Sequence, residues 1–173
     1  MPVEQLTVSD AIRHANHDYL NHLQLIHMNL ELGQIDAAKQ LIEQYTVNVR
    51  MFSQLHYLKS PIVQQWLQTC TWRYPAFTLH LTAHVDEALQ QAYEEQLVEY
   101  LEKTVLHYSE QASATDELQL TIHITVTQKR KQLCVCVEGF EQIEPLTLHN
   151  TENIHVDIDE ATNECLSYRL TWQ

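Results

Sequence analysis

Hydrophobic residues in the first third of the chain recur every three or four positions, which is the spacing of an amphipathic helix. Thr7 or Ser9 can cap the start of a first helix. Gly33 ends that helix, because glycine readily adopts the left-handed backbone of a C-cap. A second helix follows, with a heptad seam at Ile35, Ala38, Ile42, Tyr45, Val49, Phe52 and His56. Pro61 limits it, so the pattern predicts two long antiparallel helices joined by a short turn.

The period changes after Pro61 to the alternation that is typical of strands. The segments FTLHLTAHV, LQLTIHITVT and QLCVCVEG predict three strands, and NIHVDID and ECLSYRLTW predict two more. A short helix, IVQQWLQTC, precedes the first strand, and a longer helix follows it from a cap at Asp86 to about Ser109. This order predicts an α+β fold in which helices cover a sheet. We expect two domains, residues 1–60 as the helical hairpin and residues 61–173 as an α/β sandwich.

The charge balance excludes several classes of partner. The chain has 10 Lys and Arg against 23 Asp and Glu, a formal net charge of -13. Nucleic acids and anionic membrane surfaces require basic patches, so we expect neither as a partner. We see no signal peptide and no apolar run of about 20 residues, and therefore expect a cytoplasmic protein without a membrane span.

The cysteines provide no zinc-binding motif. Cys70, Cys134, Cys136 and Cys165 form no CxxC pair, and two of them alternate with valine in LCVCV. We expect buried free thiols in a reducing compartment and no metal on this chain.

The segment HDYLNHLQLI places polar chemistry on a helix that otherwise has an apolar stripe. On a helical wheel, Arg13, Asn21 and Gln24 lie within about 40° of His17, and Asp18 lies on the adjacent flank. Imidazole titrates near neutral pH, so an exposed histidine keeps a nucleophilic lone pair. A carboxylate beside it can hold one tautomer, and a guanidinium suits phosphoryl oxygens. The pattern indicates a phosphohistidine site, with a solvated histidine among polar neighbours as the alternative.

The motif R-x-x-x-H-D-Y-L-N-x-L-Q-L-I resembles the H-box of citrate-sensor-class histidine kinases. It resembles the sporulation initiation phosphotransferase B family more closely. In that family, a histidine on a helical hairpin accepts a phosphoryl group from one response regulator and passes it to another. The resemblance implies that His17 is phosphorylated, with Asp18 as its acidic neighbour and Asn21 and Gln24 as the polar residues below it. Arg13 is then placed to contact phosphoryl oxygens or the receiver surface.

The resemblance also implies the partners, and the chain departs from the family pattern at one position. Receiver domains of response regulators are the partners, and each brings its own Mg²⁺, so we expect no cofactor on this chain. His22 stands where such proteins often have a lysine.

The hairpin carries apolar residues on more than one side. The first helix has Leu20, Leu23, Ile26 and Leu30 on one side and Leu25 on another. Two hairpins packed as a four-helix bundle would cover both sides, so we predict a homodimer.

The second domain lacks the features of an ATP site. In the resembling kinases, helical asparagines and glycine-rich boxes bind the nucleotide. Glu99 and Lys103 stand at the asparagine positions here, and Gly139 is the only glycine after Gly33. We therefore predict a degenerate sandwich resembling the histidine-kinase ATPase domain, without a nucleotide site. The alternative is an unrelated α+β domain that supports the hairpin.

These observations predict a phosphorelay phosphotransferase of the sporulation-initiation type that works through a phosphohistidine. The alternative is a non-catalytic degenerate kinase that docks on a two-component system as an inhibitor or scaffold. An active histidine kinase is disfavoured by the missing glycines.

Overall fold

The computed structural model describes residues 7–113, 116–141, 144 and 146–173. The chain divides into two compact units, Met1–Phe52 and Ser53–Gln173. The boundary between the units lies eight residues before the boundary predicted after residue 60. The second unit therefore includes the buried side chains of Leu55 and Leu58. The functions assigned to the two domains stay predictions.

Two long helices form the first part of the described chain, α1 (Val8–Glu31) and α2 (Ile35–Leu55). Gly33 lies between them with φ 71°, a left-handed conformation that glycine adopts without strain. The His22 ring of α1 stacks on the Tyr45 ring of α2, with the ring centroids 3.7 Å apart. The two residues are separated from Gly33 by similar numbers of residues, one before it and one after it. The two helices therefore run antiparallel, as the hydrophobic pattern predicted.

The second unit contains two further helices and five strands. After a short 3-10 turn at His56–Leu58, they are α3 (Pro61–Arg73), β1 (Phe77–Val85), α4 (Gln91–Gln111), β2 (Leu118–Val126), β3 (Lys131–Glu138), β4 (His155–Ala161) and β5 (Cys165–Thr171). The strands form one sheet in the order β1-β2-β3-β5-β4. Only β1 and β2 are parallel; the other neighbours are antiparallel. This mixed sheet, following a helical segment, confirms the α+β fold class.

One face of the sheet carries the core of the second unit. Alternate residues of the central strands are buried, among them Leu120, Ile122, Leu133, Val135, Val137, Leu166, Tyr168 and Leu170. Helices α3 and α4 pack against each other and bury apolar side chains such as Leu67 and Leu101. Each such leucine contributes about 1.5–3 kcal/mol on leaving water. The other sheet face is partly exposed, so its polar residues are accessible.

Two expectations from the sequence are wrong. Helix α4 begins at Gln91, not behind a cap at Asp86, because the Asp86 N–H donates to the Val126 carbonyl at the end of β2. The expectation of buried thiols holds for Cys70, whereas the other three cysteines are only half-buried. None of the helices in the described part of the chain is long and apolar enough to cross a membrane.

Candidate functional site

The start of α1 is set by reciprocal hydrogen bonds. Thr7 is the N-cap, and its hydroxyl accepts the Asp10 N–H at 3.2 Å, while the Asp10 carboxylate accepts the Thr7 N–H at 3.3 Å. The Thr7 hydroxyl also donates to the Asp10 carboxylate at 2.6 Å, and this bond, together with the bond from the Thr7 N–H, lowers the pKa of the Asp10 carboxyl group. The other Asp10 oxygen lies 3.1 Å from the Arg13 guanidinium. Arg13 is therefore tied to the first turn and shows no contact with His17 among the interactions described.

His17 lies in the middle of α1 with its side chain 71% exposed. Two neighbours approach the same ring nitrogen, Nδ1. The side-chain nitrogen of Asn21 is 3.2 Å away, and a carboxylate oxygen of Asp18 is 3.5 Å away. Asn21 reaches the ring because residues four apart lie on one face of a helix. The three predicted catalytic residues thus come together around one imidazole.

Both contacts of His17 bear on its tautomer. A neutral imidazole has a proton on one nitrogen and a lone pair on the other. The Asp18 carboxylate favours the proton on Nδ1. With Nδ1 protonated, the 3.2 Å contact to Asn21 is a hydrogen bond only if the amide oxygen, and not its nitrogen, faces the ring, and the two ends of an amide are interchangeable in such a contact. The lone pair then resides on Nε2. This arrangement can support nucleophilic attack by Nε2 while the proton stays held on Nδ1.

Other polar residues of the hairpin lie apart from this group. Gln24 is exposed two turns after His17. His22, at the departure from the family pattern, stacks on Tyr45 of α2. The His27 side chain is 72% exposed, and its Nδ1 lies 3.7 Å from the Glu31 Oε2. The Tyr45 contact was missed because it depends on the register between the two helices.

The apolar stripe of α1 is uncovered in the single chain. None of the residues 8–31, all of which the structure describes, is buried. Large exposed apolar side chains of the hairpin include Leu20, Leu23, Leu25, Leu30, Ile35, Ile42 and Val49. An exposed apolar surface of this extent is typical of an interface.

Glu99 and Lys103, at the predicted positions of the kinase asparagines, lie one turn apart on α4. Their side chains form an exposed ion pair with an Oε1–Nζ distance of 2.7 Å. They line a cleft together with Gln96, Tyr100 and residues 147–151. The pair presents a carboxylate, which repels phosphate groups, to this cleft.

Comparison with known proteins confirms the resemblance noted in the sequence. Residues 3–58 match the family model of the sensor kinase SpoOB-type alpha-helical domain. The chain is 26% identical over 125 residues to sporulation initiation phosphotransferase B of Bacillus subtilis. That match covers 72% of this chain and 65% of the relative, so the chain spans somewhat less than two thirds of its length.

Distant similarity also extends to solved structures. A blue-light activated histidine kinase of Erythrobacter litoralis is 9% identical, with a TM-score of 0.45, over 97% of this chain and 61% of that one. The histidine kinase AdeS of Acinetobacter baumannii is 9% identical, with a TM-score of 0.39, over 91% and 97%. A bacterial phosphotransferase is 13% identical, with a TM-score of 0.37, over 97% and 98%.

Proposed function

We propose that this chain is a phosphorelay phosphotransferase in which His17 carries a phosphoryl group between receiver domains of response regulators. The observation that carries the proposal is the exposed His17 ring, with Asp18 and Asn21 both at Nδ1. Support also comes from the family match, which includes all three residues, and from the relative named a phosphotransferase.

The reaction is written as two displacements at phosphorus. In the first, the Nε2 lone pair of His17 attacks the aspartyl phosphate of one receiver; an N–P bond forms, and the P–O bond to the aspartate breaks. In the second, a carboxylate oxygen of another receiver attacks the same phosphorus and His17 leaves. The transition state is loose, so positioning and charge stabilisation provide most of the catalysis.

The neighbours of His17 have distinct roles in this scheme. Asp18 holds the proton on Nδ1 and stabilises the positive charge that the ring gains when the N–P bond forms. Asn21 fixes the orientation of the ring. Arg13 is 74% exposed, and its guanidinium has further N–H donors beyond the one that Asp10 uses. Arg13 and Gln24 contact the docked receiver, which supplies Mg²⁺ in its own acidic pocket.

A second copy of this chain is proposed to cover the exposed stripe of the hairpin. The stripe runs along both helices, since Leu23 on α1 and Ile42 on α2 are each close to half exposed. Packing two hairpins into a four-helix bundle buries such stripes and places one His17 site on each protomer. The resulting homodimer displays two phosphorylation sites.

The second unit is proposed to support or dock partners without binding nucleotide. This follows from the Glu99–Lys103 pair in the cleft of α4 and from the scarcity of glycines in the sequence. The phosphoryl group therefore enters from a receiver and not from ATP.

A transfer assay between two receivers tests the proposal. A phosphorylated donor receiver, an acceptor receiver and Mg²⁺ are mixed with the wild-type chain, His17→Ala or His27→Ala. His27 is the matched control, because it is equally exposed on α1 and also lies beside a carboxylate. We expect transfer with the wild type and His27→Ala, and none with His17→Ala. Equal transfer with all three proteins would contradict the proposal and favour a scaffold.

A further inference from the structure

Three metal-ligating side chains converge on the more exposed sheet face, where β3 lies beside β5. Glu138 is the direct cross-strand partner of Cys165, and Cys136 is the partner of Ser167. Direct partners and residues two apart point to the same side of a sheet, so both thiols and the carboxylate share one face. Their ligand atoms all lie within 4.8 Å of one another.

We propose that Cys136, Cys165 and Glu138 bind one Zn²⁺ ion. The two sulfur atoms are 4.0 Å apart. Two thiolates on a tetrahedral zinc ion, each about 2.3 Å from the metal, lie about 3.8 Å apart. A disulfide has its sulfurs at about 2.05 Å, so the two cysteines are free thiols here. The observed spacing thus fits two zinc ligands.

Three side chains leave the fourth position of a tetrahedral zinc ion to water, and Glu160 adds negative charge nearby. Glu160 on β4 pairs with Ser167 of β5 and lies close enough to act electrostatically on both thiols. A carboxylate oxygen is a common zinc ligand beside cysteine sulfur.

The local charge favours a cation at this point. The carboxylates of Glu138 and Glu160 both act electrostatically on the two thiols. Zinc binding displaces one proton from each thiol into solvent, and the metal charge then offsets the carboxylates.

The nearest cationic side chain on β5 is engaged elsewhere. The Arg169 guanidinium lies 3.2 Å from Asp159, and it also hydrogen-bonds with Cys134. Arg169 is therefore neutralised by Asp159 and not by the carboxylates beside Cys165.

The surroundings add negative potential. A cleft beside the site is lined by the acidic residues Asp116, Glu117, Glu141 and Glu164. Glu164 is the chain neighbour of Cys165, and Gly139, which also lines the cleft, follows Glu138. Gly139 has φ 86°, and any side chain there would meet the Glu117 carbonyl oxygen. The close approach of these two backbone segments fixes the end of β3, which carries Glu138.

The site was excluded on sequence grounds because its cysteines are far apart along the chain. Their separation of 29 residues resembles no zinc motif. The antiparallel register of β3 with β5 brings them together, and that register is a property of the folded sheet.

Metal titration of the full chain without an affinity tag, under reducing conditions, tests the inference. Co²⁺ serves as the optical probe, because thiolate ligands give it a charge-transfer band in the near ultraviolet. We expect one Co²⁺ per chain with this band, displaced by Zn²⁺, in the wild type. Cys134→Ser is the matched control, since Cys134 is half-buried on the same strand and face, and it should keep the band.

The ligand variants should behave differently from this control. Cys136→Ser and Cys165→Ser should lose the charge-transfer band, and Glu138→Gln should weaken Zn²⁺ binding by about tenfold. Circular dichroism checks that each variant is folded. An unchanged band in Cys136→Ser or Cys165→Ser would overturn the inference. So would a Cys136–Cys165 disulfide that forms in preference to metal binding under these conditions.

Discussion

The side-chain nitrogen of Asn21 lies 3.2 Å from Nδ1 of His17, one helical turn earlier on α1. The contact holds the imidazole in one orientation on an otherwise exposed helix face. A phosphoryl acceptor benefits from this, because a ring that is already aligned with the incoming phosphorus loses less entropy on reaching the transition state.

Asn21→Ala should slow phosphoryl transfer by about tenfold to a hundredfold, because the ring loses its positioning contact. Transfer reactions with a phosphorylated receiver, quenched at successive times, give the rate of phosphoryl transfer. Asn16→Ala is the control, since Asn16 is an exposed amide residue of the same helix without a described contact to His17. Equal rates for the two variants would show that Asn21 does not position the ring.

The protein should be a homodimer through its hairpin. Leu23→Asp should dissociate the dimer at micromolar concentration, because it places a charge in the proposed apolar interface. Ile158→Asp is the control, as Ile158 is also 45% exposed but lies on β4 of the second unit. Light scattering gives the mass. A monomeric wild type, or a dimer that survives Leu23→Asp and not Ile158→Asp, would contradict the bundle.

The chain should neither bind nor hydrolyse Mg-ATP. The Glu99 carboxylate in the cleft of α4 repels phosphates, and its partner Lys103 is already neutralised at 2.7 Å. Titration calorimetry should give no saturable heat. Saturable binding in the micromolar range that Lys103→Ala removes would instead identify the cleft as a nucleotide site and favour a kinase.

Glu102 should be important for the stability of the second unit. Its carboxylate lies between α3 and α4 and accepts hydrogen bonds from Trp66, Tyr74 and, at 3.2 Å, Arg73. Glu102→Ala leaves the largely buried Arg73 guanidinium without this counter-charge, which should lower the free energy of unfolding by about 3 kcal/mol. Urea denaturation measures the loss. Glu99→Ala, an exposed glutamate on the same helix, should change it by less than about 0.5 kcal/mol.

The helices and strands were largely predictable because their signals are local. The alternation in LQLTIHITVT depends only on which face of the strand meets the core, and the seam from Ile35 to Phe52 only on which side of the helix is apolar. The start of α4 was wrong because Asp86 is an adequate helix cap in isolation. Its backbone instead pairs with Val126, a residue remote in sequence.

The grouping of the candidate site residues was predictable because it too depends on local sequence. The contacts of Arg13 and of the cysteines were not predicted. His17, Asp18 and Asn21 lie within one turn of a single helix, so the sequence spacing determines their proximity. The ion pair between Arg13 and Asp10 was not predicted, although its three-residue spacing permits it. The Cys136–Cys165 approach depends on strand register, which requires the whole sheet.

The most direct test of the central claim is to locate the phosphoryl group on the chain. The protein is incubated with a phosphorylated receiver, digested at alkaline pH, where phosphohistidine survives, and mapped by tandem mass spectrometry. The account predicts an acid-labile phosphoryl group on His17, and none on His14, His22 or His27. A phosphoryl group on another residue, or a chain that stays unmodified while the receiver keeps its phosphate, would contradict the proposal.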